Sequence, residues 1–281
     1  MSSCLQPKKM HLQPNRFDLN RIKDGATCIL LAKRRSGKSV AIKELIYHFD
    51  TKCHIKAGVI CSHSENVDPY YSKFFPDSFI YDDCAKMLRK VIERQEKLLE
   101  ENKKLEKEGK PQKDPRILVV LDDVIDDPTL AKNDDFNNIM FNGRHFKITL
   151  IIAVQYIMAL PPRARNNFDY IFLFANDIHK EVQKMYDYFA GMFPSVNIFK
   201  IILNEFTKNY NILVIDRSDS AQASLNDKYG IFKADINLKY DGFGGKNIIN
   251  YHKKHYDPEW NEHQKTGILI GKNNKDIEIF H

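Results

Sequence analysis

TCILLAKRRSGKSVAIKELIYHF, Thr27 to Phe49, reads as three pieces in a fixed order. Thr27 to Ala32 is a short apolar run of strand type. Ala41, Leu45, Ile46 and Phe49 then recur at helical spacing, so a strand, a loop and a helix follow one another. The loop between them ends in SGKS, the second half of the phosphate-loop pattern G-x-x-x-x-G-K-[ST]. Such a loop aims backbone N–H groups at phosphates from a helix N-terminus. Its Lys neutralises β/γ charge and its Ser or Thr hydroxyl binds Mg²⁺. Ala32, Lys33, Arg34, Arg35, Ser36, Gly37, Lys38 and Ser39 are therefore the expected nucleotide-binding residues. Ala32 stands at the first Gly position, and Arg34 and Arg35 crowd the middle. By itself the octet leaves a working site, a decayed one and a chance match all open.

Further along the chain, AGVICS (Ala57 to Ser62), SFIY (Ser78 to Tyr81), ILVVLDD (Ile117 to Asp123), ITLIIAVQ (Ile148 to Gln155), DYIFLF (Asp169 to Phe174) and ILVID (Ile212 to Asp216) read as strands. A helix is expected over 177–189 and another, highly charged, over 86–108. Val91, Leu98 and Leu105 lie seven apart on the second, as in a short coiled-coil seam, although a solvated protruding helix explains it as well. Unbroken apolar strands alternating with helical segments mean an α/β fold, a mainly parallel sheet covered by helices on both faces. The expected organisation is an N-terminal arm over 1–24, a core over 25–217 with a charged helical insertion at about 84–110, and an irregular tail over 218–281.

Asp122 lies 84 residues beyond Lys38 and ends an apolar strand. In doubly wound sheets ligands bind at the carboxyl ends of strands, where such a carboxylate can hold Mg²⁺. Asp123 is placed to polarise an attacking water. Gln155, after seven apolar residues, is placed to orient that water or to sense the γ-phosphate; a plain polar strand end would look the same. Arg144 precedes that strand, and Arg163 and Arg165 follow it. An arginine reaching a neighbour's γ-phosphate stabilises transition-state charge, and a surface salt bridge is the ordinary alternative.

The longest apolar run, Ile148 to Val154, is too short to span a bilayer, so no transmembrane segment is expected. MSSCLQPKKM has no apolar core, so no signal peptide is expected either. Five scattered cysteines without C-x-x-C pairs point to reduced thiols in a cytosolic compartment. The net charge of +6 permits a polyanionic partner without requiring one.

The order AKRRSGKS, ILVVLDDVIDD, FNGRHFKITLIIAVQY, PRARNNFDYIFLF resembles the genome-packaging ATPases of poxviruses and other nucleocytoplasmic large DNA viruses, members of the FtsK/HerA superfamily of DNA-pumping motors. The resemblance covers roughly residues 25 to 217, and its most specific part is G-R-H followed by a strand ending in Gln. It implies a P-loop NTPase core of the RecA-like kind and an ATPase that uses ATP and Mg²⁺. Lys38 and Ser39 would bind phosphate and Mg²⁺, Asp122 would coordinate Mg²⁺ and Asp123 would be the general base. Gln155 would be the sensor, and Arg144, or else Arg165, the finger acting in trans. Implied partners are double-stranded DNA, other copies in a homo-oligomeric ring, and a viral capsid or inner-membrane component. The implied location is the host cytoplasm, at the assembling virion. Lys246, Lys253 and Lys254 in the tail are candidate DNA contacts, although a solvated or capsid-docking segment explains the tail as well, and DGFGGK reads as a flexible loop. Competing readings are another DNA-translocating ATPase or helicase, and a non-hydrolysing DNA-binding or capsid assembly protein. Ala32 and Arg35 depart from the family pattern.

Overall fold

Apolar strands without polar alternation need cover on both faces, and this sheet has it. The computed structural model describes residues 15–124, 129–218, 224–257, 267–270 and 277–280. In chain order its main elements are β1 (Thr27–Leu31), α1 (Lys38–Thr51), β2 (Gly58–Ser62), β3 (Ile80–Tyr81), α2 (Cys84–Lys107), β4 (Ile117–Asp122), α3 (Asp134–Asn142) and β5 (Ile148–Val154). There follow β6 (Tyr170–Leu173), α4 (His179–Met185), α5 (Val196–Phe206), β7 (Ile212–Asp216), β8 (Tyr229–Phe232) and α6 (Lys246–His255), and then a hairpin of β9 (Gly267–Ile270) and β10 (Ile277–Phe280). Eight strands form one sheet in the order β3-β2-β4-β5-β1-β6-β7-β8. The first six are parallel, while β7 runs antiparallel to β6 and β8 antiparallel to β7.

The two faces bury separate cores. Ile29 and Leu31 of β1 join Val119, Leu121, Ile152 and Val154 under α2 to α5, while Cys28 and Leu30 join Val120, Ile151 and Phe172 under α1. This double cover explains the unbroken apolar strands and bears out the expected fold class. The direction of β7 could not be read from ILVID, because an apolar strand carries no sign of its polarity.

The packed unit is wider than 25–217. At its start, Phe17 is buried against Tyr170 and Phe172, and its N–H donates to Ile231 O at 2.8 Å. At its end, β8 belongs to the sheet and the next segment lies along α1. There Lys43 Nζ donates to Leu238 O, and the Tyr240 hydroxyl donates to Asp50 Oδ2 at 2.7 Å. DGFGGK is also anchored, not loose. Phe243 is buried and stacks on Phe75 with ring centroids 4.4 Å apart. It sits over Gly58, where a Cβ would stand 2.7 Å from its ring. Truncating Phe243 to Ala should therefore cost about 3–5 kcal/mol of stability. A lower urea midpoint would report that loss, and an unchanged midpoint would mean the tail does not support the core.

The charged helix α2 is only partly solvated. Met87, Leu88, Val91 and Ile92 are buried on the sheet. One turn of the expected seam thus packs on the sheet, and its partner is this chain's own core. Two buried amides, Gln95 and Asn102, tie the helix to the returning chain. Gln95 Nε2 donates to Pro115 O at 2.8 Å, and Asn102 exchanges two hydrogen bonds with the Lys113 backbone. On its exposed side Glu100 meets Lys104 at 2.8 Å and Glu93 pairs with Arg89. The helix expected over 177–189 is α4, continued by a π-helical turn over Tyr186–Ala190. Cys28, Cys53, Cys61 and Cys84 are free thiols. Among the described residues, no helix is long and apolar enough to cross a membrane.

Candidate nucleotide site

The phosphate loop leaves the carboxyl end of β1 and enters α1 at Lys38. Ala32 is 2 % exposed, and its N–H donates to Val154 O at 3.1 Å, continuing the β1–β5 ladder. Its methyl packs in the α1-side core, so the extra carbon at the first Gly position does not enter the loop. Gly37 caps α1 at φ 91°, in the left-handed region that glycine enters without strain. No side chain caps the helix there, so its first-turn N–H groups remain available to an anion. Ser36 Oγ donates to Lys33 O at 2.7 Å and braces the loop, and Lys33 pairs with Asp177. Arg34 and Arg35 are exposed. Arg35 has φ 61°, a left-handed backbone where a smaller residue would be easier.

Lys38 faces the ends of β4 and β5. Its Nζ lies 3.0 Å from Asp122 Oδ1 and also pairs with Asp123. Asp123 stands just past β4 at φ 53°, with its N–H donating to Ala153 O at 3.1 Å. That backbone turns its carboxylate toward β5, where Gln155 Nε2 donates to Asp123 Oδ2 at 3.1 Å. Four expected residues from three elements thus form one contiguous cluster, with Ser39 one position further into α1.

Two residues of the cluster's surround carry no motif. Tyr71 is fully buried and its hydroxyl donates to Asp122 Oδ2 at 2.7 Å. Burial, and after it the Asp122 charge, pushes this phenol well above its ordinary value, so it stays a donor. Tyr71 is held in turn by Glu65, whose carboxylate accepts the backbone N–H groups of Tyr70, Tyr71 and Ser72 at 2.8–3.1 Å. Burial works against that charge. The three N–H groups outweigh it and hold the Glu65 carboxyl below its usual range. Neither belongs to a spacing pattern that the sequence displays.

The donor set also suits a hard cation. Asp122 Oδ1 is buried and receives no hydrogen bond, although Lys38 lies within charge-pairing distance. The Ser39 hydroxyl would supply a second oxygen ligand. Mg²⁺ is commonly held by one or two such protein groups together with substrate phosphates. No group of three or more His, Cys, Asp or Glu among the described residues could hold a metal alone.

The two arginines are elsewhere. Arg144 precedes β5 and lies at the amino ends of the parallel strands, roughly 20–25 Å along β5 from Gln155 at about 3.3 Å per residue. It pairs with Asp169 but is 66 % exposed. A cavity of about 630 Å³ at that end is lined by Arg21, Lys23, Arg116, Arg144 and Lys147, with Asp24, Asp169 and Asp216 among them. Arg165 cannot serve as a finger. It is 4 % exposed, with Nε donating to Leu160 O at 3.1 Å and Nη1 to the Tyr188 hydroxyl at 2.8 Å. Its guanidinium also lies 4.8 Å from the Tyr188 ring centroid. These contacts fix the turn after β5 against the α4 region. Arg165→Ala should therefore lower the unfolding free energy by about 2–3 kcal/mol, from lost charged hydrogen bonds. Hydrolysis per folded molecule should be unchanged, which denaturation and rate measurements on one preparation would check.

The chain as a whole is similar to known proteins. A family model described as Poxvirus A32 protein matches residues 15–234, nearly the packed unit from Phe17 to the end of β8. Protein L437 of Acanthamoeba polyphaga mimivirus is 32 % identical over 258 residues, covering 91 % of this chain and 88 % of that one. Protein 075L of Invertebrate iridescent virus 6 is 25 % identical over 253 residues, covering 89 % and 93 %. Among solved structures, the genome packaging NTPase B204 of Sulfolobus turreted icosahedral virus 2, in complex with ATP-gammaS, aligns over 74 % of this chain and 96 % of its own. Its TM-score is 0.51 at 20 % identity, a likeness of fold.

Proposed function

The chain belongs to the Poxvirus A32 protein family, and from that membership we propose that it is an ATP-driven motor that moves double-stranded viral DNA into a capsid during virion assembly. One observation carries the reading: Lys38 bridges Asp122 and Asp123 at the carboxyl ends of β1 and β4, with Gln155 bonded to Asp123. A decayed loop would have no reason to keep all four in contact.

In this reading the first-turn N–H groups of α1 and the Lys38 ammonium bind the phosphates of ATP. Phosphate then competes for Lys38 and frees both carboxylates from it. Asp123, one-third exposed and reachable by solvent, accepts a proton from the attacking water, and Gln155 orients that water toward phosphorus. Asp122 and Ser39 would hold Mg²⁺, which when bound neutralises charge on the phosphate oxygens. Tyr71 keeps Oδ2 of Asp122 occupied, so Oδ1 is the oxygen left for that role. The water oxygen bonds to the γ-phosphorus as the bond from that phosphorus to the ADP oxygen breaks, and the proton taken by Asp123 passes to solvent as ADP and inorganic phosphate leave.

Arg144 lies far from its own subunit's site and is mostly exposed, as a residue serving a neighbour must be. The basic lining of its cavity supports a ring in which that end faces the next subunit's nucleotide. A finger in trans contributes roughly 10³–10⁵ in turnover. DNA in such a motor is held by its phosphates without base readout, so binding should be salt-sensitive and sequence-tolerant. The exposed Lys246, Lys253 and Lys254 of α6 are candidate contacts. A capsid or inner-membrane component would recruit the ring in the host cytoplasm.

The test is steady-state ATP hydrolysis with and without double-stranded DNA over a range of protein concentrations. Stimulation by DNA and a rate per subunit that rises with concentration are expected. A flat rate under both conditions would overturn the ring motor. Arg144→Ala subunits mixed into wild type should depress the rate more steeply than dilution, and a linear loss would assign Arg144 a structural role.

A further inference from the structure

The cluster around Lys38 fixes which way a nucleotide must lie. Asp122, Asp123 and Gln155 end β4 and β5, which flank β1 on one side. The γ-phosphate belongs with them, so the nucleoside must extend across the phosphate loop to the other side of β1, where β6, β7 and β8 lie. Because β7 is antiparallel, it begins at the same end of the sheet: Leu213 pairs with Leu173, and Leu173 with Leu31. The turn just before β7 therefore stands beside the phosphate loop, on the nucleoside side.

That turn presents Tyr210. Its ring approaches Gly37, where an added Cβ would stand 3.8 Å from Tyr210 Cδ1. The side chain is 73 % exposed. Among the described residues the ring stacks on no other and its hydroxyl has no hydrogen-bond partner. Two consecutive residues, Asn209 (φ 55°, ψ 41°) and Tyr210 (φ 62°), hold left-handed backbone to put it there. Asparagine tolerates that conformation, whereas a bulky aromatic in it is a true outlier. Strain of this kind persists where the surrounding structure enforces it, and it clusters at ligand clamps. The next residue, Asn211, opens a cavity of about 590 Å³ lined also by Ile231, Lys233, Asp235 and Ile236. An exposed aromatic face beside a phosphate loop, with a mixed polar and apolar recess beyond it, suits a flat heterocycle with hydrogen-bonding edges.

We infer that Tyr210 is the stacking platform for the base of the bound nucleoside triphosphate, and so sets affinity for the nucleoside part independently of the phosphates. This inference rests on the ATP reading of the Lys38 site. Base–aromatic stacking is sequence-tolerant and lost on truncation to alanine. The experiment is calorimetric titration of wild type, Tyr210→Ala and Tyr210→Phe with ATP and with inorganic triphosphate, both with Mg²⁺. Tyr210→Ala should weaken ATP about tenfold and leave inorganic triphosphate within about twofold, and Tyr210→Phe should match wild type. Equal losses for both ligands would assign Tyr210 to shaping the phosphate loop and overturn the inference. ATP binding unchanged in Tyr210→Ala would overturn it while leaving the ATP site intact. Wild type that binds inorganic triphosphate no less tightly than ATP would overturn it too. Wild type that binds neither would instead overturn the reading of the Lys38 site, and this inference with it.

Discussion

Replacing Lys38 with Ala should reduce ATP hydrolysis by at least about 10²–10³-fold, the loss seen when one fixed electrostatic contact to a transition state is removed. The expectation follows from where the ammonium sits. Lys38 is mostly buried, at the mouth of α1, in contact with the two carboxylates to which the proposed reaction gives roles. Without it, ATP would bring its phosphates toward Asp122 and Asp123 after both carboxylates had lost the cation that pairs with them. Affinity should fall together with turnover. The same change leaves Asp122 buried beside Asp123 without its counter-charge, which costs stability. Lys38→Arg separates the two effects. It keeps the charge, and so the fold, but a planar guanidinium does not reproduce the ammonium's compact contact. Both variants should lose hydrolysis, and only Lys38→Ala should lower the unfolding midpoint. Wild-type hydrolysis in Lys38→Ala would contradict the assignment of the site.

The second large effect belongs to Asp123. Asp123→Asn should lower kcat by roughly 10²–10⁴-fold, the span typical of losing a positioned general base. ATP affinity should change by no more than a few fold. Asn is the informative replacement because residue 123 has φ 53°. Asparagine is among the few residues that accept left-handed backbone readily, and it keeps the size and one oxygen that Gln155 can meet. Alanine would confuse lost chemistry with backbone strain. Single-turnover hydrolysis with equilibrium binding on the same preparation would check the split. Intact turnover would mean another group takes the proton, and a matching loss of affinity would mean Asp123 acts on binding.

These roles attach to residues whose part in the site was legible before the fold. Lys38, Asp122 and Gln155 each stand next to an apolar strand or a helix start, and β1, β4 and β5 are neighbours in the sheet. Strand ends in a parallel sheet converge by construction, so polar residues at those ends meet. What stayed hidden depends on contacts that leave no periodic trace. Glu65 sits in a turn and Tyr71 opens a single 3-10 turn between β2 and β3, and their worth lies in one hydroxyl and three backbone N–H groups. Arg165 looked as free as Arg144 in sequence, and its bonds to the Leu160 carbonyl and the Tyr188 side chain decide otherwise. Phe243 is one aromatic in a glycine-rich run, and its value comes from the bare backbone of Gly58, 185 positions earlier. Arg34 and Arg35 had suggested crowding. Both are exposed, and the lost glycine is Ala32, whose methyl turns into the core.

A motor that couples hydrolysis to movement along DNA should displace a third strand from a duplex. A linear duplex carrying a short triplex-forming oligonucleotide near one end is incubated with the protein and Mg²⁺, and release of the labelled third strand is followed. With ATP, release should be fast, independent of duplex sequence and abolished in Asp123→Asn; with ATP-γS it should fall to the spontaneous rate. Release no faster with ATP than with ATP-γS, in a preparation that hydrolyses ATP, would contradict the motor.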